Sequence, residues 1–311
     1  MVIVSADTKV SKATNSEPLE DALLNRRITD TAQLSLTLGC NAVGKTVVQH
    51  RYMAYPLSVS PVFRLDGEGD ALARRAYLYR MNTSPGLLAG DLLSMSVRLD
   101  AGSALCLSDQ AATKVHTMTR ADKENAAEVR YDIAVGENAT LEFLPEPLIL
   151  FADSALKQTT DITLHETGGL SWGEIVLPGR LARGELYQFR EYRSKLRLFS
   201  PDGTPCLVEA MKLLGKGNRF SQRSLFAKGP VLGTLILVLP RVSRDGVTLL
   251  SKQIDDLSTD SLQVASSVLP NERGVFVRAI ATTTREMQAS FKAAANYVRT
   301  LRHQPSLPYS L

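Results

Sequence analysis

The chain has 311 residues, of which 44% are apolar and 22% charged, so its composition excludes a fibrous or largely disordered protein. This length is sufficient for one large domain with a substantial core. The 36 Lys and Arg residues outnumber the 32 Asp and Glu residues slightly, giving a formal net charge of +4. Because the basic residues are scattered and form no block, the sequence disfavours nucleic-acid binding.

Cysteine usage and the ends of the chain indicate the compartment. Cys40, Cys106 and Cys206 are widely spaced, which matches neither a disulfide framework nor a paired metal site and favours a reducing environment. The first ten residues lack the basic and apolar regions of a signal peptide. The longest apolar run, 231–239, is too short to span a bilayer. We therefore predict a cytoplasmic protein with no membrane partner.

The N-terminal part of the chain divides into two regions. Residues 1–28 are rich in Ser, Thr, Asn and Asp, which predicts a flexible leader, with a helix-like patch at 19–24. From Thr31 onwards apolar and polar residues alternate, which predicts strands at 34–38, 47–55 and 57–63. We expect one β-rich domain from 29 to 304.

Three stretches in the middle of the chain repeat one strand pattern, V-x-L, five residues, then L-x-L. The repeated positions are Val97, Leu99, Leu105 and Leu107, then Ile133, Val135, Leu141 and Phe143, then Ile162, Leu164, Leu170 and Trp172. Apolar residues two apart share one face of a strand. The small polar residues between the pairs suit a tight turn, so each copy is predicted to be a short hairpin. The copies would stack to bury a shared core, as in repeat proteins.

The remainder of the chain continues the β pattern and ends in a helix. Predicted strands lie at 77–81, 92–99, 175–177, 187–193, 196–200, 207–214, 231–238, 247–250, 263–269 and 275–280. The turn Pro201-Asp202-Gly203 predicts a hairpin, and 215–223 reads as a basic loop. The predicted fold is mainly β, with stacked sheets in a solenoid-like (β-helical) scaffold and about two helices.

The long helix is predicted at about 284–302, followed by a loose tail at 305–311. Thr283 and Thr284 are candidate caps for its first turn. A stripe with helical spacing then predicts its core-facing side: Met287, Phe291, Ala294, Val298 and Leu301.

Residues 39–46, with the sequence GCNAVGKT, satisfy the P-loop expression G-x-x-x-x-G-K-[ST]. A P-loop must open a helix, whose N-terminus holds the phosphates. The next residues, VVQHRYMAYP, are rich in β-branched and aromatic side chains and end at a proline, which predicts a strand. A P-loop NTPase is therefore kept only as an alternative.

No catalytic spacing accompanies this motif. The four histidines form no H-x-H or H-E-x-x-H pair, so no local zinc or nickel site is encoded. The sequence also lacks the G-x-S-x-G motif of serine hydrolases. We predict that the protein is not an enzyme.

Four carboxylates flank apolar strands and are the candidate polar site: Glu142, Glu146, Asp153 and Glu174. A buried carboxylate needs a partner, and Arg180 and Arg183 are near in sequence. One interpretation is therefore a structural ion-pair network. The other is a polar passage for a divalent metal, because oxygen ligands bind nickel more weakly than imidazole or thiolate does.

Five segments taken in order resemble the motifs of one family. They are 83–91 (TSPGLLAGD), 111–115 (AATKV), 141–151 (LEFLPEPLILF), 171–180 (SWGEIVLPGR) and 229–235 (GPVLGTL). They are similar to the P-G-G-L-x-G-G-D, G-A-T-K-F, L-E-W-L-P-Q-E-T-I-L-F, W-E-I-x-x-L-G-R and H-P-V-L-G-T-L motifs of the urease accessory protein UreD family, also called UreH. Gly44-Lys45-Thr46 also resembles the opening G-K-T-R strand of that family.

This resemblance implies a non-catalytic scaffold that binds the urease apoprotein and the accessory proteins UreF and UreG. Nickel would be in transit to the urease active site, and no cofactor would be bound stably. Carried onto this sequence, the resemblance makes Glu142, Glu146, Asp153 and Glu174 candidates for the nickel passage. Asp91 and Lys114 are motif residues near turns. A generic β-solenoid module that binds sugar or protein remains a further alternative.

Overall fold

The computed structural model describes residues 32–66, 74–119, 125–215 and 229–308. Within these ranges the fold is mainly β, as predicted, with two α-helices: α1 (Arg244–Asp255) and α2 (Thr284–Leu301). The strands are β1 Leu34–Cys40, β2 Thr46–Met53, β3 Leu57–Val59, β4 Ala76–Asn82, β5 Leu92–Leu99, β6 Ala104–Asp109, β7 Thr113–Val115, β8 Ala127–Val135, β9 Thr140–Leu144, β10 Leu148–Leu150, β11 Ala155–Leu164, β12 Gly169–Leu177, β13 Glu191–Phe199, β14 Pro205–Leu214, β15 Val231–Val238, β16 Leu262–Val268 and β17 Gly274–Ala281.

Two predictions fall on residues that the structure does not describe. The leader at 1–28, with its helix-like patch, lies outside the described residues, as does the predicted basic loop beyond Gly215. The domain boundaries at 29 and 304 stay predictions.

The strands form two large sheets that stack on each other. The first has seven strands in the order β14-β13-β11-β8-β5-β1-β2, and the second follows β16-β17-β15-β12-β9-β6-β4-β3 with β10 and β7 attached. The chain alternates between them, since β5, β8, β11 and β13 lie in the first sheet while β6, β9 and β12 lie in the second. Strands of successive copies pair in parallel.

The repeat prediction is confirmed, because equivalent positions of successive copies lie beside each other in the sheets. The predicted hairpins are wrong. Val97 pairs with Ile133, which in turn pairs with Ile162. Leu107 likewise lies beside Phe143, and Phe143 lies beside Trp172. The two strands of one copy, however, belong to different sheets, because the linker between them is a corner that carries the chain from one sheet to the other.

The main hydrophobic core lies between the two sheets. All twelve repeated apolar positions are buried in it, together with neighbours on the inner faces such as Leu36 and Tyr192. Phe143 and Trp172 place their ring centroids 4.5 Å apart in this layer. Stacking the copies therefore buries a continuous apolar surface that no single copy could bury alone.

The two helices pack on the opposite face of the second sheet. The predicted strand at 247–250 is wrong, since these residues lie in α1, which Ser243 caps by accepting a hydrogen bond from Gly246 N–H at 3.2 Å. The predicted helix is confirmed as α2, with Thr283 as N-cap in a capping box with Glu286.

The predicted apolar stripe of α2 faces a second core cluster. Met287, Phe291, Ala294 and Val298 are buried, and Leu301 packs at the edge of the same cluster. Among the described residues, no helix has both the length and the apolar character that crossing a membrane requires.

The glycine-rich P-loop match is a turn between two antiparallel strands. Thr46–Met53 forms β2 and pairs with β1, so the strand prediction is confirmed at the place where a nucleotide-binding loop would open a helix. The Asn41 side-chain oxygen accepts hydrogen bonds from the N–H groups of Val43 and Lys45 at 3.1 and 2.9 Å. These contacts fix the turn within the hairpin.

The C-terminal segment is not loose where the structure describes it. Leu307 is buried, and its N–H donates to the side-chain oxygen of Asn296 at 2.7 Å. The carbonyl of Pro305 accepts a hydrogen bond from Arg299 at 3.0 Å. The predicted loose tail is therefore wrong for 305–308, which pack against α2.

Candidate functional site

Glu174 places a carboxylate between the two stacked sheets. It lies on β12, whose residues alternate between the sheet interface and the side that faces α2. The neighbouring Trp172 belongs to the core between the sheets, whereas Gly173 lies against Phe291 of α2. The same alternation directs the side chain of Glu174 towards the first sheet.

Only uncharged groups hydrogen-bond to Glu174 among the described contacts. Its Oε1 accepts from the Thr160 hydroxyl at 3.2 Å and the Trp172 indole N–H at 3.4 Å. Its Oε2 accepts from the Ser194 hydroxyl at 3.4 Å. Burial raises the pKa of Glu174 above its ordinary value, against the smaller opposing effect of these donors. Within the described ranges, the site therefore holds a carboxylate whose charge no arginine neutralises by direct contact.

A narrow cavity of about 30 Å³ connects Glu174 with Glu146. A cavity of this volume with polar lining residues can hold a water molecule. Asp109, Tyr131 and Tyr192 also line it. The cavity thus joins two of the four predicted carboxylates in one polar space inside an apolar core.

Glu146 also lines a second, larger space towards the surface. This outer cleft has a volume of about 290 Å³ and is bordered by Gln288 and Lys292 of α2. Burial raises the pKa of Glu146, partly offset by a hydrogen bond from Gln288. Glu146 therefore lines both the inner cavity and the outer cleft.

A buried ion pair forms one wall of the inner cavity. The Arg80 guanidinium donates to both carboxylate oxygens of Asp109, at 2.6 and 2.9 Å, and to the Tyr131 hydroxyl at 3.0 Å. It also lies 5.3 Å from the ring centroid of Phe143. Burial disfavours the cation, but attraction to Asp109 outweighs it and raises the pKa of Arg80. Burial in turn raises the pKa of Asp109, against the opposing attraction of Arg80, and the hydrogen bonds between the two side chains orient both of them.

Glu142 lies in a different layer and is neutralised by arginines. It is on β9, and its carboxylate accepts from Arg299 Nη2 at 2.6 Å and from Arg75 Nη1 at 3.0 Å. Burial disfavours its ionised form, but the two arginines outweigh this effect and lower the pKa of Glu142. Asp66 and Tyr77 complete the network. The carboxylates are interpreted either as a structural ion-pair network or as a passage for a metal. The contacts of Glu142 favour the structural ion pair.

The arginines that the sequence suggested as partners contact other groups. Arg180 pairs with Glu185 at 2.5 Å and lies 4.3 Å from the ring centroid of Phe151, and Arg183 is exposed. Within the part of the chain that the structure describes, neither of these arginines pairs with a candidate carboxylate. The expected pairing with Arg180 and Arg183 is therefore wrong.

The remaining candidates lie in turns or on the surface. Asp153 has a left-handed backbone, with φ of 61°, in the turn between β10 and β11. Asp91 closes a turn by accepting from Leu88 N–H at 2.8 Å. Lys114 is exposed on β7, while its carbonyl accepts from Leu87 N–H at 2.8 Å. These contacts explain Asp91 as a turn residue and place Lys114 on a surface.

The structure thus brings together Glu146 and Glu174 but separates Glu142 and Asp153 from them. In the ranges described, no group of three or more His, Cys, Asp and Glu side chains converges as a metal site would require. Sequence reasoning missed Arg75, Arg80 and Arg299, the buried cations that organise this region. No local motif marks them, because their partners are distant along the chain.

Comparison with known proteins extends over nearly the whole chain. The family model described as UreD urease accessory protein matches residues 30–310. A urease accessory protein UreD of Trichodesmium erythraeum (strain IMS101) is 45% identical over 279 residues, covering 90% of this chain and 98% of that protein.

More distant relatives carry the same name. The protein of Actinobacillus pleuropneumoniae serotype 5b (strain L20) is 30% identical over 262 residues, covering 84% of this chain and 94% of the relative. That of Haemophilus influenzae (strain 86-028NP) is 29% identical over 276 residues, covering 87% and 99%. The extent of these matches means that this chain belongs to the UreD family of urease accessory proteins.

Proposed function

We propose that this protein is a non-catalytic scaffold for urease maturation that binds the urease apoprotein and the accessory proteins UreF and UreG. The observation that carries the proposal is the family match across residues 30–310. The named partners follow from the family resemblance. In this role the protein works in the cytoplasm and holds partners without catalysing a reaction of its own.

The scaffold would be solenoid-like. Two features support this architecture: the chain alternates between two sheets, and equivalent strands of successive copies pair in parallel. Such a scaffold presents broad sheet surfaces for partners while its interior remains available for polar groups.

We further propose that nickel passes through the interior by way of Glu146 and Glu174. Glu174 supports this because the described residues that donate hydrogen bonds to it are all neutral, so its oxygens can exchange those weak contacts for a cation. Carboxylate oxygens bind nickel less tightly than imidazole or thiolate, which suits transfer rather than storage. Nickel is therefore a cargo in transit.

Glu142 and Asp153 are weaker candidates for the same passage. Two arginines already occupy the oxygens of Glu142, and displacing them would leave buried cations unpaired. Asp153 does not line the cavity that joins Glu146 and Glu174. We therefore assign Glu142 a structural role within the proposed scaffold.

The alternative NTPase function is disfavoured by the hairpin geometry at 39–46, where β2 replaces the required helix. Purified protein is expected to bind neither ATP nor GTP, and equilibrium dialysis with either nucleotide checks this. A generic sugar- or protein-binding module is disfavoured by the ordered family match.

A pull-down with nickel measurement tests the proposed function. Tagged full-length protein is mixed with apo-urease, UreF and UreG, singly and together, and retained proteins and nickel are quantified. We expect co-purification with the urease proteins and an increase in urease nickel content when the scaffold is present. If none of the three partners is retained and urease gains nickel equally without the scaffold, the proposal is overturned.

A further inference from the structure

A basic groove opens on the surface between β7, β10 and the start of α2. It has a volume of about 860 Å³, and its charged and apolar lining includes Lys114, Arg180, Arg183, Ile149, Phe151 and Leu181. None of these residues lines the inner cavity or the outer cleft beside Glu146. The basic groove is therefore a separate surface feature.

The charge of the basic groove is uniformly positive. No Asp or Glu is among the described residues that line it. Lys114 and Arg183 are both exposed to solvent. Arg180 is held in place by Glu185, at 2.5 Å, and by Phe151 below it. Two exposed cations and one oriented cation thus line the same opening.

The nearby helix start does not supply this positive field. At the N-terminus of α2, Thr283 accepts from Glu286 N–H at 3.2 Å, while the Glu286 carboxylate accepts from Thr283 N–H at 3.2 Å. This capping box satisfies two of the N–H groups at the helix end and places the Glu286 carboxylate beside them, which offsets the helix dipole. Attraction for an anion in the groove must come from the lysine and arginine side chains.

The floor of the groove is apolar. Ile149, Phe151 and Leu181 are only partly buried there, so part of each side chain remains in contact with solvent. An inorganic anion would neutralise the cations but leave these apolar side chains exposed to solvent. An extended peptide with both acidic and apolar residues would cover both kinds of surface.

We propose that the basic groove binds an acidic, apolar segment of a partner protein. The proposal rests on the proposed scaffold function and adds the surface and the chemistry of one docking contact. Charge complementarity selects an acidic partner segment, and the floor formed by Phe151 and its neighbours selects one that also carries apolar side chains.

A peptide-binding measurement tests the groove directly. The probe is a short fluorescein-labelled peptide of alternating glutamate and leucine, titrated with the full-length protein and followed by fluorescence anisotropy. The variant Lys114→Glu/Arg183→Glu should weaken binding by about tenfold or more and reduce its salt dependence. Arg51→Glu/Lys195→Glu is a matched control, because it reverses one exposed arginine and one exposed lysine on the first sheet.

Specific outcomes overturn the proposal. One is that the control variant weakens peptide binding as much as the groove variant does. Another is that a lysine–leucine peptide binds as tightly as the glutamate–leucine peptide. The third is that Lys114→Glu/Arg183→Glu changes the monomer–dimer equilibrium of the protein but leaves peptide binding unchanged. Thermal melting of both variants verifies that they are folded.

The same variants in the urease pull-down separate this proposal from the function on which it rests. If wild-type protein retains the urease proteins and the groove variant retains them equally, the groove is not a docking site while the scaffold function stands. If wild-type protein retains none of them, the scaffold function itself fails. Selective loss of one partner from the groove variant supports both.

Discussion

Two glutamates on the same sheet, Glu142 of β9 and Glu174 of β12, have opposite electrostatic environments. Glu142 is fixed by Arg75 and Arg299 within 3.0 Å, and its pKa is lowered despite burial. Glu174 receives hydrogen bonds from two hydroxyls and an indole, and burial raises its pKa. Two glutamates on strands of one sheet therefore differ in role because their partners differ. Glu142 is a structural anchor, whereas Glu174 is an available ligand.

The largest expected effect comes from breaking the anchor. Arg299→Ala leaves the buried Glu142 with one cation and removes the bond to Pro305, so it should destabilise the fold by about 3–5 kcal/mol. Chemical denaturation measures this loss.

Arg193→Ala is the control for that substitution, because Arg193 pairs with Glu191 at 2.8 Å on an exposed surface. Its effect on the free energy of unfolding should be much smaller than that of Arg299→Ala, because solvent screens the exposed pair. Equal losses in the two variants would contradict the anchor role of Arg299.

Opposite pH trends should follow when each glutamate is replaced by glutamine. The lowered pKa of Glu142 means that its charge contributes stability above the ordinary value of 4.5, and this is lost as pH falls through the folded-state pKa. The raised pKa of Glu174 means that its proton contributes stability below 4.5, and this is lost as pH rises through the folded-state pKa.

Relative to wild type, Glu142→Gln is therefore expected to lose stability as pH rises from about 3 to about 7, whereas Glu174→Gln gains. Denaturant titrations at a series of pH values measure both trends. Parallel trends would show that the two environments do not differ as described.

The smallest expected effect lies on the outer face of the first sheet. Asp161 and Arg197 form a partly exposed pair, with Nε–Oδ1 and Nη2–Oδ2 distances of 2.6 and 2.5 Å. A double-mutant cycle should give a coupling energy of about 0.2–1 kcal/mol. The corresponding cycle for Glu142 and Arg299 should give a larger coupling energy, because that pair is buried. Equal coupling energies in the two cycles would show that burial does not strengthen the pair.

The repeat pattern predicted which strands stack and in what register, because an alternation of period two is written directly in residues such as Val97 and Leu99. It did not predict the kind of turn that joins the two strands of one copy. The small polar linker at 100–104 has the composition of a hairpin turn but forms a corner between sheets. Linker composition alone does not decide whether the flanking strands pair or diverge.

Helix α1 shows a second limit of local patterns. Val247 to Leu250 is a short apolar run with a β-branched start, which is typical of a strand and also of one buried helical turn. The decisive signal was Ser243 two residues before Asp245, a helix cap followed by an acidic first turn.

The site itself was only partly readable from the sequence. Glu146 and Glu174 were found because they flank apolar strands, and the structure joins them in one cavity. The partners of Glu142 lie 67 and 157 residues away in Arg75 and Arg299, so sequence proximity pointed to the wrong arginines. Contacts between layers follow from tertiary packing, which no local pattern contains.

We propose that nickel passes by way of Glu146 and Glu174. The test is to activate urease with Glu146→Gln/Glu174→Gln protein and to measure how much nickel the urease contains. Glu128→Gln/Glu191→Gln is the control, since these residues bear surface ion pairs on the first sheet. The account predicts a lowered nickel content with the interior variant, unchanged content with the control, and intact complexes in both. Unchanged nickel content with the interior variant would contradict it.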